Sequence, residues 1–126
     1  FIIFQTLGAI CGALLANAMF DLDIFQVSEK LRTGSNLWLS EGVATAGLIL
    51  IILLSPKEKT AIMVASYIGA AYWFTSSTSF ANPAVTIGRV FSNTFTGIEP
   101  YSAMYFILYQ LIGALIGFVI FTFLRK

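Results

Sequence analysis

The chain has 126 residues, 58% of them hydrophobic and 10% charged, against about 25% charged in a soluble domain; its mean hydropathy is +0.87. Seven basic and six acidic residues leave a net charge of +1, which excludes an electrostatic nucleic-acid binder, because that needs a clustered basic surface. With no His and one Cys, zinc sites and disulfide frameworks are excluded as well, and the obvious class is an integral membrane protein, all-α by the helix-length apolar segments that follow.

In chain order, the first apolar segment covers residues 1–20, long enough at 1.5 Å per residue to cross about 30 Å of hydrocarbon. It opens Phe-Ile-Ile-Phe, with no initiator Met and neither the basic start nor the cleavage pattern of a signal peptide. The expectation is a partial domain that begins inside a spanning helix. Asp21, Asp23, Glu29, Lys30 and Arg32 then mark a polar connection. A second helix is predicted over about 37–54, with Glu41 one turn inside it, followed by the Lys57-Glu58-Lys59 loop. A third apolar segment is shorter, ending near Phe74, and is extended here to about 60–78 so that it spans. The last helix is predicted over 102–124, closed by Arg125 and Lys126. The slim basic excess of the Lys57/Lys59 loop and the C-terminus puts both in the cytoplasm.

Two charges fall inside this pattern, Glu41 and Arg89. Ionisable groups at membrane depth are costly and default to a functional role with a protein partner. A repeat also stands out. Gln5-Thr-Leu-Gly8-Ala9-Ile-Cys-Gly12 and Gln110-Leu-Ile-Gly113-Ala114-Leu-Ile-Gly117 share the pattern Q-x-x-G-A-x-x-G. Each strips one helix face of side chains, so that another helix can approach closely. If the two helices are equivalent, they end successive structural repeats.

Residues 75–93 carry the chemistry. A polar run, Thr75–Ser79, precedes Asn82 and Pro83; Asn is a favoured N-cap and Pro a favoured first helical residue. The helix predicted over 83–92 is too short to span and reads as a re-entrant element, whose irregular backbone needs protein burial or a wet cavity. An Asn82 cap would use the side-chain oxygen and leave the NH2 as a donor, beside roughly half a positive charge from the helix N-terminus. The Thr75–Ser79 carbonyls would add acceptors. That combination suits a neutral hydroxylic solute and repels cations and protons. An ordinary capped interfacial helix is the alternative on the motif alone.

Asn82-Pro83-Ala84 preceded by Ser and Thr, with Q-x-x-G-A-x-x-G helices on either side, resembles the major intrinsic protein family of aquaporins and aquaglyceroporins. The resemblance covers the whole chain as the third, fourth and fifth helices, the second half-helix and the sixth helix. It implies a right-handed helical bundle: four transmembrane helices plus one re-entrant half-helix of a six-plus-two architecture, with residues 1–126 a partial channel domain. By the same resemblance Glu41 accepts hydrogen bonds from the re-entrant loop and turns the carbonyls of Ser77, Thr78 and Phe80 toward a pore. A merely solvated interfacial Glu41 is the alternative.

Departures from the family pattern are informative. Arg normally follows the second Asn-Pro-Ala, and here Val85 stands there; Thr86 replaces the Asp of glycerol facilitators. Counting back from Asn82, the fifth-helix filter position falls on Ala70 and the loop position on Ser79, with Gly69 and Phe80 one residue away. A filter of Ala70, Ser79 and Val85 is wide and poor in fixed charge. The expected function is passive permeation of water and small neutral solutes such as glycerol, urea-like amides or metalloid acids including arsenous acid. The Val replacement is shared by a bacterial subgroup linked to arsenic resistance. Arg89, four residues on from Val85, either swings back over the pore mouth or snorkels in the outer vestibule.

The resemblance implies a homotetramer in a lipid bilayer, in a bacterial inner membrane. No cofactor or metal is expected, and no nucleophile–base pair suggests an enzyme. The other functional class is a non-conducting membrane scaffold. Cys11 reads as a small packer, and Gln5, Asn17 and Gln110 as interhelical hydrogen-bond glue. Trp38, Tyr101 and Tyr105 suit interfacial belts.

Overall fold

Seven of the nine largest fully buried side chains are polar; only Phe106 and Ile98 are apolar. Large apolar side chains instead face outward, Trp73 at 89% and Phe4 at 81% exposure among them. Water would not tolerate this inversion, whereas a lipid bilayer or further protein would. The structure, a computed structural model, describes residues 1–125. Lys126, counted above with Arg125 as a cytoplasmic charge, lies outside the described residues.

Among the described residues five helices follow in order: α1 (Ile2–Met19), α2 (Ser35–Leu54), α3 (Thr60–Phe74), α4 (Pro83–Val90) and α5 (Pro100–Leu124). No strand occurs among the described residues. Helices α1, α2 and α5 are long and apolar enough to cross a membrane. Helix α3 has 15 residues, about 22 Å at 1.5 Å per residue, and does not extend to residue 78. Its last turn is closed by Thr75, whose Oγ1 donates to the Ala71 carbonyl at 2.7 Å and whose backbone turns extended at φ −101°, ψ 138°. Helix α4 stops at Val90 rather than Ser92, and α2 and α5 each start two residues earlier than the apolar pattern suggests. Flanking polar residues and Pro100 can occupy a first helical turn, where backbone N–H groups need no helical acceptor.

The chain forms two compact units. One contains residues 1–33 and 82–107, the other residues 34–81 with the helical residues from Leu108 onward. In the first unit α4 lies close on α1: a Cβ at Gly88 would come 2.7 Å from the Ala9 carbonyl oxygen. In the second unit Gly113 of α5 meets the Gly42 backbone of α2, and a Cβ at Gly117 would be 2.5 Å from the Ala46 oxygen. Tyr67 of α3 donates its hydroxyl to the Ala44 carbonyl of α2 at 2.8 Å. Trp38 of α2 stacks on Tyr109 of α5 with ring centroids 5.9 Å apart. Small residues thus bring helix backbones together where lipid supplies no hydrophobic drive between them.

Glu99 caps α5, its Oε2 accepting from both the Ser102 N–H and the Ser102 hydroxyl at 2.9 Å. The Ser102 backbone bond, with help from the hydroxyl, lowers the Glu99 pKa against an opposing effect of desolvation. A depressed folded pKa stabilises the fold above the ordinary carboxylate range, and that contribution is lost as pH falls through the folded value. Glu99→Gln is therefore expected to lower the melting temperature of the detergent-solubilised protein at pH 7. The difference from wild type should close in acid; an equal deficit at every pH would mean that the cap's charge is irrelevant.

Candidate functional site

Helix α3 ends where its polar successors begin, and residues 75–81 run without regular structure. Thr78, Ser79 and Ala81 all hold positive φ, at 65°, 48° and 50°. For residues with a Cβ this left-handed region costs on the order of 1 kcal/mol or more apiece and persists only where surroundings enforce it. The enforcing group is Glu41, fully buried on α2. Its Oε1 accepts the Phe80 N–H and its Oε2 the Ala81 N–H, both at 2.9 Å. Gln110 of α5 donates its Nε2 to the same Oε2 at 2.7 Å. A carboxylate receiving three donors is a satisfied buried charge, and the two amides gain acceptors that no regular element supplies.

Serines hold the rest of the loop. The Ser77 N–H and hydroxyl both lie 3.3 Å from Ser40 Oγ, and the Ser79 N–H donates to Ser77 Oγ at 3.3 Å. Ser76 reaches the Asn36 carbonyl. The Thr75 carbonyl, counted above among the acceptors, takes the Thr78 N–H at 3.4 Å. Ser79 is buried, and its hydroxyl has no hydrogen-bond partner among the described residues. An uncompensated buried hydroxyl is costly, so this one is suited to a polar guest.

The chain then enters α4. Asn82 has the extended backbone of an N-cap, φ −153° and ψ 123°, and Pro83 opens the helix. The Asn82 Oδ1 accepts the Ala84 N–H at 2.8 Å, and its carbonyl takes the Thr86 N–H and hydroxyl, each at 3.0 Å. The cap therefore uses the side-chain oxygen and not the NH2. Ala84, Thr86 and Gly88 are the buried residues of α4. Val85 and Arg89 are half-buried, and the Arg89 carbonyl accepts the Ile98 N–H at 3.3 Å.

Ala70 and Gly69 are exposed on α3, in the same unit as Ser79 and Phe80, while Val85 belongs to the unit of α1 and α4. Arg32 is a residue the sequence reading passed over as a loop charge. It is only 6% exposed, donating Nε to the Gly97 carbonyl at 2.8 Å and Nη2 to the Phe95 carbonyl at 2.9 Å. Asn17 of α1 ties that helix to the end of α4: its Nδ2 donates to the carbonyl of Phe91, the residue that closes α4, at 2.8 Å, and to that of Ile24 at 3.1 Å. No local pattern distinguishes either from a solvated polar residue, because the acceptors at Phe91, Phe95 and Gly97 are backbone groups 63 to 74 residues away. The two Q-x-x-G-A-x-x-G copies also differ. Gln110 is buried and bonded, whereas Gln5 is exposed and nothing approaches within 4 Å of a Cβ at Gly8 or Gly12.

Comparison with known proteins gives one informative match. The chain is 47% identical over 129 aligned positions to aquaglyceroporin AqpS of Rhizobium meliloti (strain 1021), covering 100% of this chain and 55% of that protein. The chain thus spans about half the length of the curated relative it matches. No protein-family profile and no solved structure matches it.

Proposed function

We propose that this chain, which belongs to the major intrinsic protein family of aquaporins and aquaglyceroporins, is part of a passive transmembrane channel for water and small neutral solutes. The observation that carries the reading is the buried Glu41 carboxylate, which binds the Phe80 and Ala81 amides and holds an irregular backbone that leads into the Asn82-capped α4. Such a backbone belongs at membrane depth only beside protein or a wet path. The chain also resembles a protein named an aquaglyceroporin along its entire length.

In this reading Asn82, Pro83 and Ala84 form the pore motif, the Asn82 NH2 and the α4 N-terminus facing solute and disfavouring cations and protons. The Ser77, Thr78 and Phe80 carbonyls are acceptors along the path. Ala70, Ser79 and Val85 line its narrowest part, where Val in the place of the usual Arg widens the passage and removes a fixed charge. Arg89 lies in the outer vestibule. The unpartnered Ser79 hydroxyl favours a hydrogen-bonding permeant. Glycerol, urea-like amides and undissociated metalloid acids such as arsenous acid fit that chemistry. The whole protein would supply the other half of the pore and assemble as a homotetramer in a bacterial inner membrane. Helix α3 would be a fourth span, with the C-terminus cytoplasmic.

The test uses the whole protein in proteoliposomes, with stopped-flow light scattering under sucrose, glycerol and arsenous acid gradients. Wild type is expected to admit the neutral solutes quickly, and Val85→Arg to suppress them by roughly tenfold or more, the scale on which a small steric misfit discriminates. Fast water flow with no solute entry in either form would move the filter away from Val85. No flow of any kind would favour a non-conducting scaffold.

A further inference from the structure

Helix α4 has only eight residues, about 12 Å of helix, and its own hydrogen bonds cannot fix where it sits. Its C-terminal end is held instead by Asn17 of α1 and by a strap, residues 20–33, neither of which carries a pore motif. Asn17 Nδ2 binds the Phe91 carbonyl at 2.8 Å, and the Ser28 N–H binds the Val90 carbonyl at 2.7 Å. The Glu29 N–H reaches Asn93 Oδ1 at 3.0 Å, and the Glu99 N–H returns to the Lys30 carbonyl at 2.9 Å. The first two of these bonds occupy carbonyls that every helix C-terminus leaves without intrahelical partners.

Arg32 completes the strap. Its Nε and Nη2 draw the Gly97 and Phe95 carbonyls inward, while its own N–H donates to Ser102 Oγ at 3.2 Å. The segment so gathered runs back to α4 through the Ile98 N–H on the Arg89 carbonyl, at 3.3 Å. Gly97 leaves no room for adjustment, because a Cβ there would strike the Ser92 carbonyl and the Ser28 side chain. At the other side α4 rests on the Ala9 backbone through Gly88. A planar fork with fixed donors suits this job better than a flexible ammonium.

We infer that Arg32 is a positioning residue for α4: by fixing the Phe95 and Gly97 carbonyls it sets the rotation and depth of the half-helix, and with them the placement of Val85. The consequence for permeation rests on the channel reading above, and Arg32 then determines selectivity without touching solute.

The test has two readouts on the whole protein, reconstituted in liposomes. Val85→Cys, with Cys11 and any other cysteine changed to Ser, reports the placement of α4 through its rate of modification by a small soluble thiol reagent. Adding Arg32→Gln is expected to change that rate roughly tenfold, and Arg32→Lys by less, as one donor direction survives. On the wild-type Val85 background, the same variants should shift the ratio of glycerol to water permeability by roughly tenfold while protein yield is retained. Unchanged labelling and an unchanged ratio in folded variants would overturn the proposal. Failure of both variants to fold would also overturn it, since Arg32 would then hold the unit together rather than place one helix. A labelling shift in a protein that conducts nothing would keep the positioning role and reject the channel reading instead.

Discussion

Glu41→Ala is expected to abolish the folded 75–81 segment. The substitution leaves the Phe80 and Ala81 amides and the Gln110 Nε2 without their buried acceptor. A buried donor that loses its acceptor costs about 1–3 kcal/mol, a large share of the stability of a marginal fold. The three left-handed residues raise the cost, since Thr78, Ser79 and Ala81 then hold strained backbone with nothing to enforce it. Glu41→Gln is the sharper variant. Its carboxamide keeps one acceptor oxygen but turns an NH2 toward donors, so it should fold less stably than wild type and more stably than Ala. Thermal unfolding in detergent and limited proteolysis between residues 75 and 81 measure both effects. Wild-type melting and protection in Glu41→Ala would mean that the serine bonds alone support the loop.

The second large effect is expected at Gly113. A methyl group there would run into the Gly42 carbonyl, and one at Gly117 would come 2.5 Å from the Ala46 oxygen. Those obstacles are backbone, so α2 and α5 must separate rather than a side chain step aside. Overpacking of this kind costs about 1–3 kcal/mol or more, and separation would also stretch the 2.7 Å bond from Gln110 to Glu41. Gly113→Ala should therefore lower both melting temperature and yield, despite a gain in helix propensity of about 1 kcal/mol from replacing Gly. Gly8 is the internal control, since nothing lies within 4 Å of its Cβ position in this chain. If the two copies of Q-x-x-G-A-x-x-G are equivalent, Gly8→Ala in the whole protein should cost as much as Gly113→Ala, because a further helix would pack there. A neutral or stabilising Gly8→Ala would leave that face of α1 to lipid and reject the equivalence.

Both effects, and the role inferred for Arg32, share one physical cause. With apolar side chains facing outward, specific placement inside each unit depends on close backbone contact and on polar side chains that serve backbone groups. Asn17, Ser28, Arg32, Glu41 and Ser77 are all buried, and all bind loop or helix-end backbone rather than pack as apolar filler. Ser28 does so through its own amide as well as its hydroxyl, and Ser77 through its hydroxyl, which accepts the Ser79 N–H. A polar interior of this kind is rigid while every member is satisfied and fails abruptly when one is lost.

Sequence by itself determined the class of the molecule, because 58% hydrophobic residues with 10% charge cannot be kept in water as separated apolar helices. It also carried the start of α4, where Asn82 and Pro83 act on groups within two residues of themselves. Both are short-range effects, fixed by composition and by neighbouring residues. Tertiary structure alone decided the rest. Arg32 and Asn17 look like solvated loop and helix polar groups until chain folding brings them to carbonyls 63 to 74 residues away. The left-handed path beyond α3 depends on Glu41, a residue about 40 positions earlier. The two glycine repeats read alike in sequence and differ in space, because close approach depends on which helix arrives opposite, and no helix records its neighbour in its own periodicity.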